Sequence, residues 1–294
     1  MPLVATLIAA PASNILSSER AASLASELSA EPICLSEGEA YDFVITGETG
    51  GDAAEGTIRS LLGDLPVDVV VQDQEERRKS VLIADMDSTM IQQECIDELA
   101  DMVDMKEHVA AITARAMNGE IAFEPALRER VALLRDLDVG VIEQVIEQRI
   151  TLMPGGRELI ATMRAHGGYC ALVSGGFTAF TSRIASMLGF DEHRANELLE
   201  KDGKLSGEVA EPILGRDAKV RALREVTSAR GLTPDDAIAV GDGANDLGMI
   251  QLAGTGIALH AKPSVAAEAR FRIDHGNLTA ILFLQGYRRD EFVY

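Results

Sequence analysis

Asp85 and Asp87 stand two residues apart in the stretch DMDSTMIQQE, directly after the apolar run VLIA at 81–84. Burying a carboxylate without a partner costs several kcal/mol or forces it to take up a proton. Two such groups also repel each other, so something positive is expected with them. The candidates are a metal ion, a lysine, or a substrate that needs both an acid and a base. Three more polar signals follow: Ser174 in VSGGF, Lys219 in RDAKVRAL, and Asp242, Asn245 and Asp246 in VGDGANDLGM. Read alone, each has a plain explanation. A GDGAND stretch makes a turn with Asx hydrogen bonds, a serine before two glycines makes a tight turn, and a helical lysine covers a solvated face. Together they are more specific. Carboxylates from two strand ends can hold Mg²⁺, a hard cation that takes oxygen ligands. A hydroxyl, glycine N–H groups and a lysine can hold phosphate oxygens. One carboxylate can then attack phosphorus while another moves the proton. Two other readings fail on spacing. A calcium loop starting at Asp85 would need Gly and Glu where Met90 and Ile96 stand, and there is no phosphate-binding GxxxxGK[ST] sequence.

These residues require a scaffold that ends several strands at one place. Apolar runs at 81–84, 169–174, 237–240 and 256–259 alternate with helical stretches, the pattern of a parallel sheet covered on both faces. Open α/β sheets bind ligands at the carboxyl ends of their strands, where the four polar signals fall. The span 85–168 is far longer than a crossover needs. Apolar residues at i, i+3, i+4 spacing predict helices over 106–117, 123–137 and 139–150, hence a helical cap of about 94–150 above the strand ends. Upstream, strands are predicted at 3–9, 32–36, 41–47 and 67–72, with helices at 17–29 and 52–62. That order, β-α-β-β-α-β, is ferredoxin-like. The polar run QDQEERRKS at 72–80 is the expected linker, dividing the chain into 1–79 and 80–294. The fold class is therefore α/β, a doubly wound parallel sheet with a helical cap, preceded by a small α+β domain.

Totals narrow the function classes. The 294 residues carry a net charge of −20, which repels nucleic acid and anionic membranes. No stretch reaches the ~18 apolar residues of a membrane span. The three cysteines, Cys34, Cys95 and Cys170, are scattered and fit plain thiols in a reducing compartment. The apolar start has no Lys or Arg before Arg20 and so lacks the charged region of a secretory signal. A cytoplasmic location is expected.

The motif set Asp-x-Asp-Ser-Thr, Ser-Gly-Gly, Lys, Gly-Asp-Gly-x-Asn-Asp, in this order, resembles the haloacid dehalogenase superfamily. Within it, DMDSTMIQQECIDELA, LRERVALLRDL, LVSGGF and AVGDGANDLGMI are similar to the phosphoserine phosphatase family, over roughly residues 80–290. Residues 1–79 resemble an ACT-type regulatory domain in layout, although AAPASNILSSE lacks the glycine such domains carry in the first strand-to-helix turn.

The resemblance implies a Mg²⁺-dependent phosphomonoester hydrolase that releases serine and phosphate from O-phosphoserine, the last step of serine biosynthesis, with a homodimer as the candidate assembly. It implies Asp85 as nucleophile and Asp87 as general acid, then base. Asp85, the Asp87 carbonyl and Asp242 would hold Mg²⁺, and Asp246 would orient Lys219 or a metal-bound water. Ser174, Gly175 and Lys219 would bind phosphate, with Asn245 near the transferring group. In the cap, Glu94 would take the substrate ammonium and Arg130 its carboxylate, beneath a lid of Met117 and Phe123. Two rivals stay open: a phosphotransferase that passes the phosphoryl group to another alcohol, and a non-catalytic amino-acid sensor.

Overall fold

The computed structural model describes residues 2–45, 50–117 and 120–294, with the Met117 side chain outside that set. The first unit runs β1 (Leu3–Ala9), α1 (Ser18–Leu28), β2 (Pro32–Ser36), β3 (Ala40–Ile45), α2 (Gly51–Leu62) and β4 (Val67–Asp73). Its sheet order is β2-β3-β1-β4, with every neighbouring pair antiparallel, the ferredoxin-like arrangement. The predicted strand 41–47 ends at Ile45; residues 46 and 47 lie outside the described residues.

The second unit continues with β5 (Val81–Ala84), α3 (Cys95–Asp101), α4 (Lys106–Met117), α5 (Phe123–Ala132), α6 (Gly140–Gln148), α7 (Gly156–Ala165), β6 (Tyr169–Phe177), α8 (Thr178–Leu188) and β7 (Glu192–Asn196). Then come β8 (Leu198–Lys201), β9 (Lys204–Val209), α9 (Arg216–Ser228), β10 (Ala237–Gly241), α10 (Leu247–Leu252), β11 (Thr255–Leu259), α11 (Pro263–Glu268), β12 (Phe271–Ile273) and α12 (Ala280–Leu284). Six strands form a parallel sheet in the order β12-β11-β10-β5-β6-β7. Successive strand residues point to opposite faces. Leu82, Leu172 and Val240 accordingly join one apolar cluster with α7, α8 and α12, while Ile83, Val173 and Ala239 join another with α9. Burial on both faces is why these strands read as unbroken apolar runs.

Helices α3 to α6 form the cap. Two chain segments connect it to the core and pair with each other: Gln92 N–H donates to Thr151 O (2.9 Å), and Met153 N–H to Met90 O (2.9 Å). The helix predicted over 123–137 stops at Ala132. Asp136 turns left-handed at φ 66°, and the chain pairs there with the β8–β9 hairpin, Asp136 N–H donating to Leu205 O (3.0 Å) and Leu205 N–H to Leu137 O (2.8 Å). Backbone pairing outweighs a periodicity that would have continued the helix.

The segment 72–80 is held at its ends, by Gln72 and by Arg77 to Lys79, with Glu75 and Glu76 exposed between. Arg77 pairs with buried Asp42 (2.7 Å), Arg78 stacks on the Tyr287 ring (4.1 Å), and the Lys79 N–H donates to Gln285 Oε1 (3.2 Å). Ile8, Leu35, Ala40 and Val70 of the first unit belong to the same apolar cluster as α12. Among the described residues, no helix is long and apolar enough to cross a membrane.

Candidate active site

Three motif-bearing strands are neighbours: β5 lies between β10 and β6. Chain connections leave β5 toward β6 on one side, while β10 closes the other, so the carboxyl end of β5 is a topological switch point. Asp85 follows β5 and is 5% exposed; its N–H donates to Val240 O (3.0 Å), which continues the sheet register into the loop. The Met86 carbonyl then accepts the N–H groups of Thr89, Met90 and Ile91, turning the chain sharply toward the cap.

Lys219, on the first turn of α9, is fully buried. Its ammonium lies 2.7 Å from Asp85 Oδ1 and 2.6 Å from Asp246 Oδ1. Burial alone would lower the lysine pKa, but Asp246 and Asp85 outweigh it and push it upward, so Lys219 is charged. Asp246 also accepts the Gly243 N–H (3.0 Å), which fixes the carboxylate that fixes the lysine. No well-directed hydrogen bond reaches Asp85 Oδ1, so its contact with Lys219 is an ion pair without bond alignment.

Asp87 is held from two sides. The Cys95 N–H, at the cap entrance, donates to Oδ1 (2.8 Å), and Ser174 Oγ donates to Oδ2 (3.3 Å). Ser174 Oγ in turn accepts the Gly176 N–H (2.9 Å). Burial first, and the Glu94 charge second, raise the Asp87 pKa to about 6. Asp242 follows β10, and Thr89 Oγ1 donates to it (3.4 Å). Burial, then the Asp246 charge, raise its pKa to about 7. Asp85 is raised well above its ordinary value by burial and by Asp246, against the pull of Lys219.

Burial is the first cause of all three shifts, and neighbouring carboxylates add to it. Asp85, Asp87, Asp242 and Asp246 gather around the buried ammonium of Lys219. Oxygens of Asp85, Asp242 and Asp246 lie within 4.8 Å of one another, an all-oxygen set that suits a hard divalent cation. Asp246, expected behind the metal, thus lies within reach of the same centre while also pinning Lys219.

On the cap side, Ser88 Oγ donates to Glu94 Oε1 (2.9 Å) from a left-handed backbone, φ 55°. Arg130 is half-buried; its Nε donates to Ala126 O (3.2 Å) and its Nη1 to Thr113 Oγ1 (3.4 Å). It makes no ion pair among the described residues. Burial lowers its pKa while the nearby charges of Asp97, Glu94 and Asp87 oppose that. Phe123 lies against Gly175, and the Asn245 amide comes near the same glycine. Met117 ends α4, with its side chain outside the described residues.

Sequence reasoning missed Asn196. Its Nδ2 donates to Gly175 O (2.8 Å) and Leu214 O (3.2 Å), and its Oδ1 accepts the Leu214 N–H (2.6 Å). A lone asparagine ending a polar strand gives no warning of this. Gly176 was missed as well: a Cβ there would sit 2.7 Å from Asp87 Oδ2.

Residues 82–251 match the haloacid dehalogenase-like hydrolase family. Phosphoserine phosphatase SerB2 of Mycobacterium tuberculosis is 43% identical over 227 residues, 76% of this chain and 55% of that protein. The chain thus spans little more than half of that relative's length. Phosphoserine phosphatase of Methanocaldococcus jannaschii is 41% identical over 207 residues, 70% of this chain and 98% of that protein. A probable phosphoserine phosphatase from Vibrio cholerae, solved in unliganded form, superposes with a TM-score of 0.77 at 30% identity, covering 97% of this chain and 86% of that one.

Proposed function

Because the chain belongs to the haloacid dehalogenase-like hydrolase family, we propose that it hydrolyses O-phosphoserine to serine and inorganic phosphate. The observation that carries the substrate is Arg130, a half-buried guanidinium that makes no ion pair among the described residues, with the Asp97 and Glu94 charges near it. A guanidinium near cap carboxylates complements an amino acid's carboxylate and ammonium.

The reaction runs in two displacements. Asp85 attacks phosphorus; its Oδ–P bond forms as the bond from phosphorus to the serine oxygen breaks. Asp87 gives its proton to that oxygen, which would otherwise leave as an alkoxide. A pKa of about 6 lets Asp87 hold the proton and release it near neutral pH. Water then attacks the aspartyl phosphate, Asp87 takes the water's proton, and Asp85 is released. Lys219, fixed between Asp85 and Asp246, holds positive charge against the phosphoryl oxygens without reorganising. Ser174 and Gly175 would bind the remaining oxygens, with Asn245 beside them. Mg²⁺ held by Asp85, Asp242 and the Asp87 carbonyl would supply the further positive charge that this acid-rich site needs. The first unit, ferredoxin-like in layout, would serve a regulatory role.

The test is phosphate release from a panel of phosphomonoesters, with and without Mg²⁺. Phosphoserine should lead the panel, and chelation should abolish turnover. Preference for a sugar phosphate, or turnover undiminished in chelator, would contradict the assignment.

A further inference from the structure

Phe123 opens α5 and is half-buried on the seam between cap and core. Its ring rests on two glycines from separate segments, one near the end of β6 and one just before α9. A Cβ on Gly175 would lie 3.4 Å from Cζ and 3.7 Å from Cε2, on one edge of the ring. A Cβ on Gly215 would lie 3.2 Å from Cδ1 and 3.4 Å from Cε1, on the other. Gly215 sits at φ −113°, ψ −159°, extended backbone that any residue adopts. Its lack of a side chain therefore serves space and not backbone freedom. The two segments are clipped together by Asn196, which bonds the Gly175 carbonyl and both backbone groups of Leu214. The clip is itself buried, 3% exposed.

We propose that Gly215, with Asn196 behind it, is a positioning residue: it forms half of a side-chain-free seat that fixes Phe123 over Gly175 and so lets the cap close on the phosphoryl site. The inference rests on the reading of that site as a phosphomonoesterase centre. Without the seat, the ring would ride up and hold the cap off the core, and a small misplacement of a reacting group is costly in rate.

Serine at position 215 separates this role from a structural one. Gly215 is the N-cap of α9 and makes no side-chain cap bond, and serine is the better N-cap. On helix stability alone, Gly215→Ser should be neutral or favourable. The seat predicts loss of activity instead. The experiment is a double-mutant cycle of Gly215→Ser and Phe123→Leu, following kcat/KM and thermal midpoint. It is run on phosphoserine and on p-nitrophenyl phosphate, a generic ester. Gly215→Ser should lose about tenfold in kcat/KM with an undiminished midpoint, and should cost almost nothing further when Phe123→Leu has removed the ring. Wild-type activity in Gly215→Ser, or the same loss in both backgrounds, overturns the seat. A wild-type chain inactive on phosphoserine but active on the generic ester overturns the substrate reading and leaves the seat readable.

Discussion

Asp242 holds its proton at pH values where a free aspartate has lost it, and this gives the site a measurable pH signature. The folded pKa of Asp242 is about 7, against an ordinary 3.8. Between those values the metal-free folded state retains a proton that the unfolded chain has released. Its stability therefore falls as pH rises through that window and levels off above about 7. A divalent cation favours the ionised carboxylates, so its stabilisation should grow over the same range. Thermal midpoints taken in EDTA and in Mg²⁺ at pH 5.5 and pH 8 should show a larger Mg²⁺ increment at pH 8. Equal increments would mean that these carboxylates do not hold the ion. A second expectation concerns Gly176. Alanine there would push a methyl group against Asp87 Oδ2 and Ser174 Oγ, at 2.7 and 3.1 Å. Gly176→Ala should lower kcat by about tenfold or more through a displaced proton donor, with stability little changed. A variant with wild-type kcat would show that Asp87 has room to move. The acids were legible in the sequence because carboxylates at strand ends are chemically conspicuous. Gly176 and Asn196 were not, because their roles depend on what another loop brings beside them.

At the scale of elements, the paired segments around Gln92 and Thr151 and the β8–β9 hairpin on the end of α5 tie the cap to the core, as does the Arg183–Glu143 pair between α8 and α6. The core strands and cap helices were legible from their apolar periods. The hairpin carried a usable signal, Asp202-Gly203, both with positive φ, between short runs. Its four-residue strand LLEK has too little alternation to announce itself, and β7, EHRAN, is polar at every position but Ala195. The cap's own chemistry was visible only as two charges, Glu94 and Arg130, whose bland reading is an exposed helix surface. On that reading mutation costs less than about 0.5 kcal/mol. A half-buried Arg130 that makes no ion pair among the described residues argues for a clamp on the substrate. Arg130→Ala should then cost roughly 2–5 kcal/mol in transition-state stabilisation on phosphoserine and far less on phosphoethanolamine, which has no carboxylate. Glu94→Gln should harm phosphoserine far more than 3-phosphooxypropanoate, which has no ammonium. The readout is relative kcat/KM for each variant on the three esters. Equal losses on all three would make both residues structural.

At the scale of the whole molecule, the ferredoxin-like sheet uses both faces. Ala5, Leu7, Val69 and Val71 pack with one another and with α1 and α2, while Ile8 and Val70 join the cluster that contains α12. This explains why β1 reads as almost unbroken hydrophobicity, LVATLIA, where one-sided burial would alternate. The seam is also polar. Buried Asp68 accepts the backbone N–H groups of Asp274, His275 and Gly276, and Gln72 Nε2 donates to Leu284 O (2.7 Å). All five residues of α12 are buried, though the helix is too short to be stable alone. A polar run at 72–80 reads as a linker in the sequence; in the fold its arginines fasten the seam. The Methanocaldococcus relative matches 70% of this chain over nearly its whole length, so a shorter chain of this kind can fold. Here, however, removing residues 1–79 strips the cover from α12 and the acceptor from the 274–276 loop. We therefore expect the full chain to unfold in one calorimetric transition, and a chain starting at Val81 to melt at least about 10 °C lower, as a loss of several kcal/mol requires at this size. Asp68→Ala isolates the polar share and should cost roughly 1–3 kcal/mol in urea, the penalty for donors left without a partner. Two separate transitions, with the shortened chain as stable as the second of them, would show instead that the units fold independently and that the seam is only a contact.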